Sequence, residues 1–324
     1  MTASKKFSAL VGRLLAFMFS LLLFLPIILL PFSTAVPAWA WVPMVLGMLA
    51  LIVLQFRLRP VSRGVAASLI GGIGLVLVAI LASQVFAATP AIRGENGQPV
   101  PAAIATLEKV NLNGTEQWIS IRSHDATKPV LLHLGMGGPG GGGFATRTLF
   151  EPLEEHFVVV SWDEPGTGKS YGALPISALT PERFIEDAHA LTLYLCERFG
   201  QEKIYVYGVS WTSILGVWLV QQYPDDYYAY IGNGQMVNKT ENDILGYELA
   251  LNYSRERGDS QSVETLQRNG PPPYQGDGML GKYVAYMDIL NEYMSMPPYT
   301  VIVPIIPFMA PEYGYVDKIN HTRG

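Results

Sequence analysis

The sequence of 324 residues contains one cysteine and few charged residues, and its first 92 positions contain no aspartate or glutamate at all. Only 15% of the residues are charged and 49% are hydrophobic, which excludes a chain that is mainly disordered. Because Cys196 stands alone, an intrachain disulfide and a Cys/His zinc cluster are both excluded. We therefore expect no metal and no cofactor.

The missing acidic residues divide the chain into two parts of opposite charge. Six basic residues lie in 1–92, and residues 93–324 hold 27 acidic against 16 basic residues, a formal charge of −11. A strongly acidic surface repels a phosphate backbone. The composition thus predicts no nucleic acid partner for the second part.

Long hydrophobic runs dominate the first part. The 43 residues from Leu14 to Phe56 carry no charge, which is enough for two crossings of a bilayer at roughly 20 residues each, and Pro31 and Pro37 supply a break between them. A third uncharged run, 64–92, contains the small residues GGIG at 71–74, which suit close helix packing in lipid. We predict a transmembrane region over 1–90, in contact with the lipid bilayer, with spans at about 10–30, 39–56 and 65–88.

The basic residues also predict an orientation. They precede the first span and lie between the second and third spans, which indicates a cytoplasmic N-terminus in a multi-pass protein of the cell membrane. Three crossings then place the acidic part on the extracytoplasmic side. The alternative is a cleaved signal peptide over the first span, although its apolar stretch is long for one and two more spans follow.

The second part predicts an α/β fold. A linker at 91–103 is followed by a core at 104–237, in which apolar strands such as PVLLHL (129–134) and KIYVYG (203–208) alternate with helical patterns such as 181–199. This order is typical of a mostly parallel sheet. Tyr- and Met-rich helical stretches over 238–324 indicate an inserted cap.

Three glycine-containing turns suggest different chemistries. GMGGPG at 135–140 formally matches a dinucleotide-binding turn, but Pro139 interrupts it. GTGKS at 166–170 resembles the end of a phosphate-binding loop, yet the first glycine of that loop would have to stand where Asp163 is. We therefore expect no nucleotide. GVSWT at 208–212 follows a strand and precedes a helix, the context of a G-x-S-x-G nucleophile elbow, although an ordinary serine at a helix start gives the same pattern.

Three motifs together carry a family resemblance over roughly residues 105–240. They are GGPGGG at 137–142, WDEPGTGKS at 162–170 and GVSWTS at 208–213, and in this order the sequence resembles the proline iminopeptidase-like branch of the α/β-hydrolase fold. The resemblance implies a mostly parallel sheet with a helical cap. It also implies Ser210 as the nucleophile, the amides of Trp211 and Gly138 as oxyanion-hole donors, and a small peptide or acyl substrate.

The sequence departs from the family pattern at several positions. The family's usual histidine before GGPG is Met136 here, its Gln-Arg pair is Glu164–Pro165, and the fifth elbow residue is Thr212 instead of glycine. The family's two strands after the cap, whose ends supply the catalytic acid and histidine, are not found before Gly324, so we expect the core's C-terminal strands to be missing.

Candidates for the acid and base remain near the C-terminus. Asp317 and His321 keep the order serine, aspartate, histidine, although they lie only four residues apart. His133 is better interpreted as a buried strand residue. The sequence therefore predicts a membrane-anchored serine hydrolase with an incomplete triad, and it equally fits a fragment, a truncated gene product or a noncatalytic binding or regulatory pseudoenzyme.

Overall fold

A computed structural model describes residues 3–58, 60–135, 142–296 and 307–323 of the chain.

The first part forms four apolar helices. They are α1 (Ala3–Leu23), α2 (Leu25–Ser33), α3 (Ala38–Arg57) and α4 (Val61–Val85). Three stretches are long and apolar enough to cross a membrane: Val11–Ser33, Ala38–Arg57 and Val61–Val85. The three predicted spans are thus confirmed as helices of suitable length and composition.

Glycines bring these helices close together. A Cβ added to Gly72 would lie 2.9 Å from Leu23 and 3.0 Å from Phe24, and one added to Gly71 would lie 2.8 Å from Leu51. Small residues at such positions allow the close helix approach that drives packing in lipid. Gly71 and Gly72 of the GGIG segment therefore allow these helices to pack closely, while packing in lipid stays a prediction.

The second part is built on a mixed sheet. Its strands among the described residues are β1 (Ile104–Leu112), β2 (Thr115–Ser123), β3 (Val130–His133), β4 (Val158–Asp163), β5 (Ile204–Val209) and β6 (Tyr227–Asn233), in the order β1-β2-β4-β3-β5-β6. The strand β2 runs antiparallel to β1 and β4, whereas β3, β4, β5 and β6 are mutually parallel. The predicted fold class, a mostly parallel α/β-hydrolase-type sheet, is confirmed.

Helices cover the sheet and bury its apolar strands. They are α5 (Arg147–Phe150), α6 (Pro181–Phe199) and α7 (Trp211–Gln222). The helix α6 begins as its sequence predicts, because the Thr180 side chain accepts a hydrogen bond from the amide of Arg183 and Pro181 occupies the first turn. Leu191 and Leu195 of α6 and Leu215 of α7 are fully buried against the strands.

The region after β6 is helical. It contains α8 (Lys239–Glu256), α9 (Ser260–Asn269), α10 (Met279–Tyr293) and, after residues 297–306, the C-terminal helix α11 (Tyr315–Arg323). The first three share a core of their own around Tyr247, Leu266 and Tyr286. These helices lie inside the predicted cap region 238–324, whose exact limits stay a prediction.

Buried polar contacts connect the segment after the apolar N-terminal helices to the sheet. Arg122 on β2 forms two hydrogen bonds with Glu154, at 2.7 and 3.1 Å, and donates another to Thr89, which follows α4, at 2.8 Å. Thr89 in turn donates to Glu312 at 2.9 Å. The chain that leaves α4 is therefore fixed to the hydrolase-like core and to the C-terminal segment before the linker begins.

Candidate active site

Ser210 occupies a sharp turn between β5 and α7. Its backbone has φ +56° and ψ −121°, a conformation that non-glycine residues rarely adopt and that costs of order 1–3 kcal/mol. Its amide donates to the carbonyl oxygen of Asn233 at 3.1 Å, which ties the turn to the end of β6. The residue is exposed, so a ligand can reach it. This is the geometry of a nucleophile elbow.

The flanking residues explain how the turn is held. A Cβ at Gly208 would collide with the carbonyl oxygen of Thr212, so the first elbow position accepts only glycine without a shift of the backbone. The Thr212 hydroxyl donates to the carbonyl oxygen of Gly135 at 2.9 Å and accepts from the amide of Val209 at 2.9 Å. The threonine that departs from the family pattern thus connects the elbow to Gly135, the first residue of the glycine-rich loop (135–143).

The oxyanion-hole prediction is only partly within the described structure. Trp211 is the first residue of α7, where the backbone amides point out of the helix and favour a negative charge. Gly138 lies outside the described residues, in the gap at 136–141. The pairing of the two amides therefore stays a prediction.

Both described ends of the glycine-rich loop are anchored. Gly135 is held by Thr212, and on the other side the amide of Gly143 donates to Asp163 Oδ1 at 3.0 Å. A Cβ at Gly143 would lie 2.6 Å from the carbonyl oxygen of Trp162, so the loop ends directly against β4. The elbow and β4 together fix where the loop begins and ends.

Asp163, which accepts the hydrogen bond from Gly143, is fully buried. It also accepts hydrogen bonds from the amide of Lys169 at 2.9 Å and from the Tyr313 hydroxyl at 2.7 Å. Burial raises the pKa of Asp163 to about 7, and the bond from Tyr313 partly offsets this rise. Neither Asp163 nor Tyr313 was predicted to have a role at the site; the one signal in the sequence is the position of Asp163 in the WDEPGTGKS motif.

Asp317 and His321 lie near the contact between Asp163 and the end of the glycine-rich loop. Asp317 binds Lys169 Nζ at 2.8 Å, the amide of Gly314 at 2.9 Å and Gln84 Nε2 at 3.2 Å. A Cβ at Gly142 would lie 2.7 Å from His321 Nε2, which places the imidazole against the end of the glycine-rich loop. Burial lowers the pKa of His321 and favours its neutral form.

No catalytic hydrogen-bond chain is visible between these candidates. Within residues 3–58, 60–135, 142–296 and 307–323, no hydrogen bond joins Asp317 to His321, and none joins either residue to Ser210. Catalytic hydrogen bonds are often long before substrate binds, so geometry of this kind does not decide the roles. The assignments to Asp317 and His321 stay predictions.

His133 is buried on β3 and packs against aromatic rings. Its ring centroid lies 4.2 Å from that of Phe150 and 5.8 Å from that of Tyr207. Burial lowers its pKa to about 3, so it is neutral at physiological pH. Its place in the sheet agrees with its interpretation as a strand residue.

The described residues contain no group of three or more His, Cys, Asp or Glu side chains arranged to hold a metal ion. The predicted independence from metals and cofactors stays a prediction.

Comparisons with known proteins concern the globular part of the chain. Residues 128–255 match the family described as the alpha/beta hydrolase fold. A probable aminopeptidase, YbaC of Bacillus subtilis (strain 168), is 33% identical over 185 residues, which cover 55% of this chain. The chain spans 57% of the length of that relative.

Solved structures with similar folds include two related to proline iminopeptidases. The proline iminopeptidase of Mycobacterium smegmatis is 18% identical, with 67% of this chain and 69% of that chain covered and a TM-score of 0.43. A proline iminopeptidase-related protein of Thermus thermophilus is 17% identical, with 68% and 86% covered and a TM-score of 0.39. The resemblance that the three motifs predicted is confirmed: the globular part of this chain is similar to α/β-hydrolases and, among them, to a probable aminopeptidase.

Proposed function

We propose that the protein is a membrane-anchored serine hydrolase that uses Ser210 to cleave a small peptide or a related acyl compound. The observation that carries this proposal is the strained, accessible elbow at Ser210, held by Thr212 and Gly208. Strained backbone persists only where the surrounding contacts enforce it, and it concentrates at functional sites. A serine that merely begins a helix needs no such conformation.

In the proposed mechanism, Ser210 Oγ attacks the substrate carbonyl carbon while a base removes the hydroxyl proton. The negative charge that develops on the carbonyl oxygen is stabilised by the amide of Trp211 and by the second donor assigned to Gly138. The proton then passes to the leaving amine or alcohol, and water releases the acyl group from Ser210 by the same steps in reverse order. These steps use the chain's own residues and need no nucleotide.

We assign the base to His321 and its supporting acid to Asp317. The supporting observations are that the His321 imidazole lies against the end of the glycine-rich loop and that burial favours its neutral, proton-accepting form. Because Asp317 already binds Lys169, Gly314 and Gln84, it orients His321 only if substrate binding rearranges α11.

Fluorophosphonate labelling of the full chain in detergent tests the nucleophile. We expect stoichiometric modification of the wild-type protein and none of Ser210→Ala. Ser177 is an exposed serine outside the β5–α7 turn, so Ser177→Ala should be labelled like the wild type. A folded wild-type protein that does not react contradicts the proposal. Hydrolysis of peptide amides with and without a free amino group then separates aminopeptidase from general acyl hydrolase activity.

The second candidate is a noncatalytic membrane-anchored binding or regulatory protein. It is favoured by one observation, the engagement of Asp317 with Lys169 rather than with His321 among the described residues. This candidate predicts binding of peptides without turnover and no fluorophosphonate labelling. The same labelling experiment therefore decides between the two.

The proposed location follows from the three apolar helices and the distribution of basic residues. With the N-terminus in the cytoplasm, the hydrolase domain faces the extracytoplasmic side. In a Cys196→Ser background, a cysteine at exposed Glu116 should react with a membrane-impermeant maleimide on intact cells, and a cysteine at Lys5 should react only after lysis. The reverse pattern contradicts the orientation.

A further inference from the structure

An apolar cavity lies between the membrane helices and the C-terminal segment. Its volume is about 360 Å³, within the range of about 300–1,000 Å³ typical of ligand sites. Leu25 and Leu29 of α2 and Ile80 of α4 form one side, and Phe308, Lys318 and Ile319 form the other. A ligand for this cavity must be mainly hydrocarbon.

Two hydrogen bonds and a buried tyrosine fix the C-terminal side of the cavity. The Tyr315 hydroxyl donates to the carbonyl oxygen of Pro26 at 2.5 Å, and its amide donates to Ser83 Oγ at 3.0 Å. Its ring is buried in the same cluster as Phe24 and Ile27. The helix α11 is therefore docked on α2 and α4, the two helices that supply the opposite wall.

The cavity lies beside helices that the proposed bilayer would surround. By the helical rise of 1.5 Å per residue, Ile80 lies about 8 Å before the end of α4 at Val85, and α2 is the last part of the first span. The C-terminal segment that forms the other wall has exposed apolar side chains: Met309 is 57% exposed, Val316 43% and Ile319 52%. Exposed apolar side chains next to helices that could cross a membrane fit hydrocarbon better than water.

A buried ammonium group interrupts the apolar wall. Lys318 is only 4% exposed, and its ammonium group donates to the carbonyl oxygens of Ala310 at 2.7 Å and Pro307 at 3.4 Å. An ammonium group has three donors, and acceptors among the described residues take two of them, which leaves one for an oxygen of the ligand. The ligand is thus an amphiphile, with hydrocarbon in the cavity and an oxygen near Lys318.

We propose that this cavity binds one acyl chain of a bilayer phospholipid, with the ester carbonyl oxygen of that chain hydrogen-bonded to Lys318. The bound lipid completes the packing between α2, α4 and α11 and holds the C-terminal helix at the membrane. This inference rests on the membrane insertion proposed above and is independent of whether Ser210 is a nucleophile.

Photocrosslinking tests the lipid site. The full chain is placed in nanodiscs that contain a phosphatidylcholine with a diazirine in one acyl chain, and labelled residues are mapped by mass spectrometry. We expect labelling at Ile80, Phe308 and Ile319 at least tenfold above that at lipid-facing positions such as Leu46 and Leu81, which are 60% and 64% exposed. Filling the cavity with Ile319→Trp or Leu29→Trp should remove this excess, and the matched control Leu46→Trp should leave it unchanged.

The outcomes separate the proposals. Labelling at Leu46 and Leu81 without an excess at the cavity residues overturns the lipid site while leaving membrane insertion intact. An excess that persists in both tryptophan variants also overturns it. An absence of labelling at Leu46 and Leu81 contradicts membrane insertion itself, and fluorophosphonate reactivity reports on the hydrolase site separately.

Discussion

At the scale of single residues, Thr212 shows how a departure from a motif is accommodated. Glycine usually occupies this position because the helix passes close to the strand, and here a β-branched residue fits because its hydroxyl bonds with Val209 and Gly135. The side chain is fully buried. A substitution that kept the shape but lost the hydroxyl would leave a buried amide and a buried carbonyl without this partner.

We therefore expect Thr212→Val to lower the free energy of unfolding by about 1–3 kcal/mol, the cost of unsatisfied buried polar groups. It should also slow fluorophosphonate labelling of Ser210, because the elbow and the glycine-rich loop lose their connection. Thermal unfolding and labelling rates of the purified chain measure both effects. Thr212→Ser keeps the hydroxyl and serves as the control; equal behaviour of the valine and serine variants would show that the hydroxyl is not needed.

Asp163 gives a prediction about pH. Because its pKa is about 7 in the folded protein and 3.8 is its ordinary value, the folded state binds more protons than the unfolded state between these values. Its contribution to stability is therefore full below about pH 4 and is lost as the pH rises through about 7. The melting temperature of the wild type relative to that of Asp163→Asn should therefore fall as the pH rises from about 4 to about 8. A difference that is constant over this range would contradict the assignment.

At the scale of elements, the strands and helices near the site follow local patterns that a sequence displays. The apolar runs VLL in β3 and VVV in β4 indicate strands buried on both faces, and Thr180–Pro181 marks the start of α6. The contacts between elements are different, because the bonded residues are distant in sequence. Thr89 and Glu312 are 223 positions apart, and no periodicity predicts that they meet.

The same reasoning applies to the site itself. The elbow is local, so the order strand, glycine, serine, helix predicted it. The anchoring of the glycine-rich loop by Asp163 and Tyr313 depends on a contact across 150 positions and was not predictable from spacing. Motifs thus indicate which residues form the candidate site, and long-range polar contacts determine how rigidly the fold holds those residues.

The ion pair between Arg122 and Glu154 provides a test at this scale. Their side chains are only 7% and 2% exposed, so Arg122→Met should leave a buried carboxylate uncompensated and lower the free energy of unfolding by about 3–5 kcal/mol. Lys109 and Glu116 form a control pair with side chains 45% and 66% exposed, and Lys109→Met should cost less than about 1 kcal/mol. Chemical denaturation of the full chain in detergent measures both. Equal effects would mean that the buried pair stabilises the fold no more than the exposed pair does.

At the scale of the whole molecule, the C-terminal segment joins the apolar N-terminal helices to the candidate active site. Gln84 of α4 donates to Asp317, and Asp317 also pairs with Lys169, which follows β4. His321, one turn later on α11, lies against Gly142 of the glycine-rich loop. A shift of α11 would therefore change both its contact with α4 and its contact with the end of the glycine-rich loop.

A double-mutant cycle separates two roles of Asp317, the ion pair with Lys169 and the proposed orientation of His321. The Lys169 and Asp317 side chains are 7% and 9% exposed, so Asp317→Asn and Lys169→Met should each reduce the free energy of unfolding, and the double variant should lose far less than the sum of the two. If Asp317 also orients His321, Asp317→Asn should slow fluorophosphonate labelling at least tenfold more than Lys169→Met does. Stability and labelling rate are measured on the same preparations. If Asp317→Asn and Lys169→Met lose stability and labelling rate to the same extent, Asp317 only stabilises the fold. The catalytic acid would then lie outside α11.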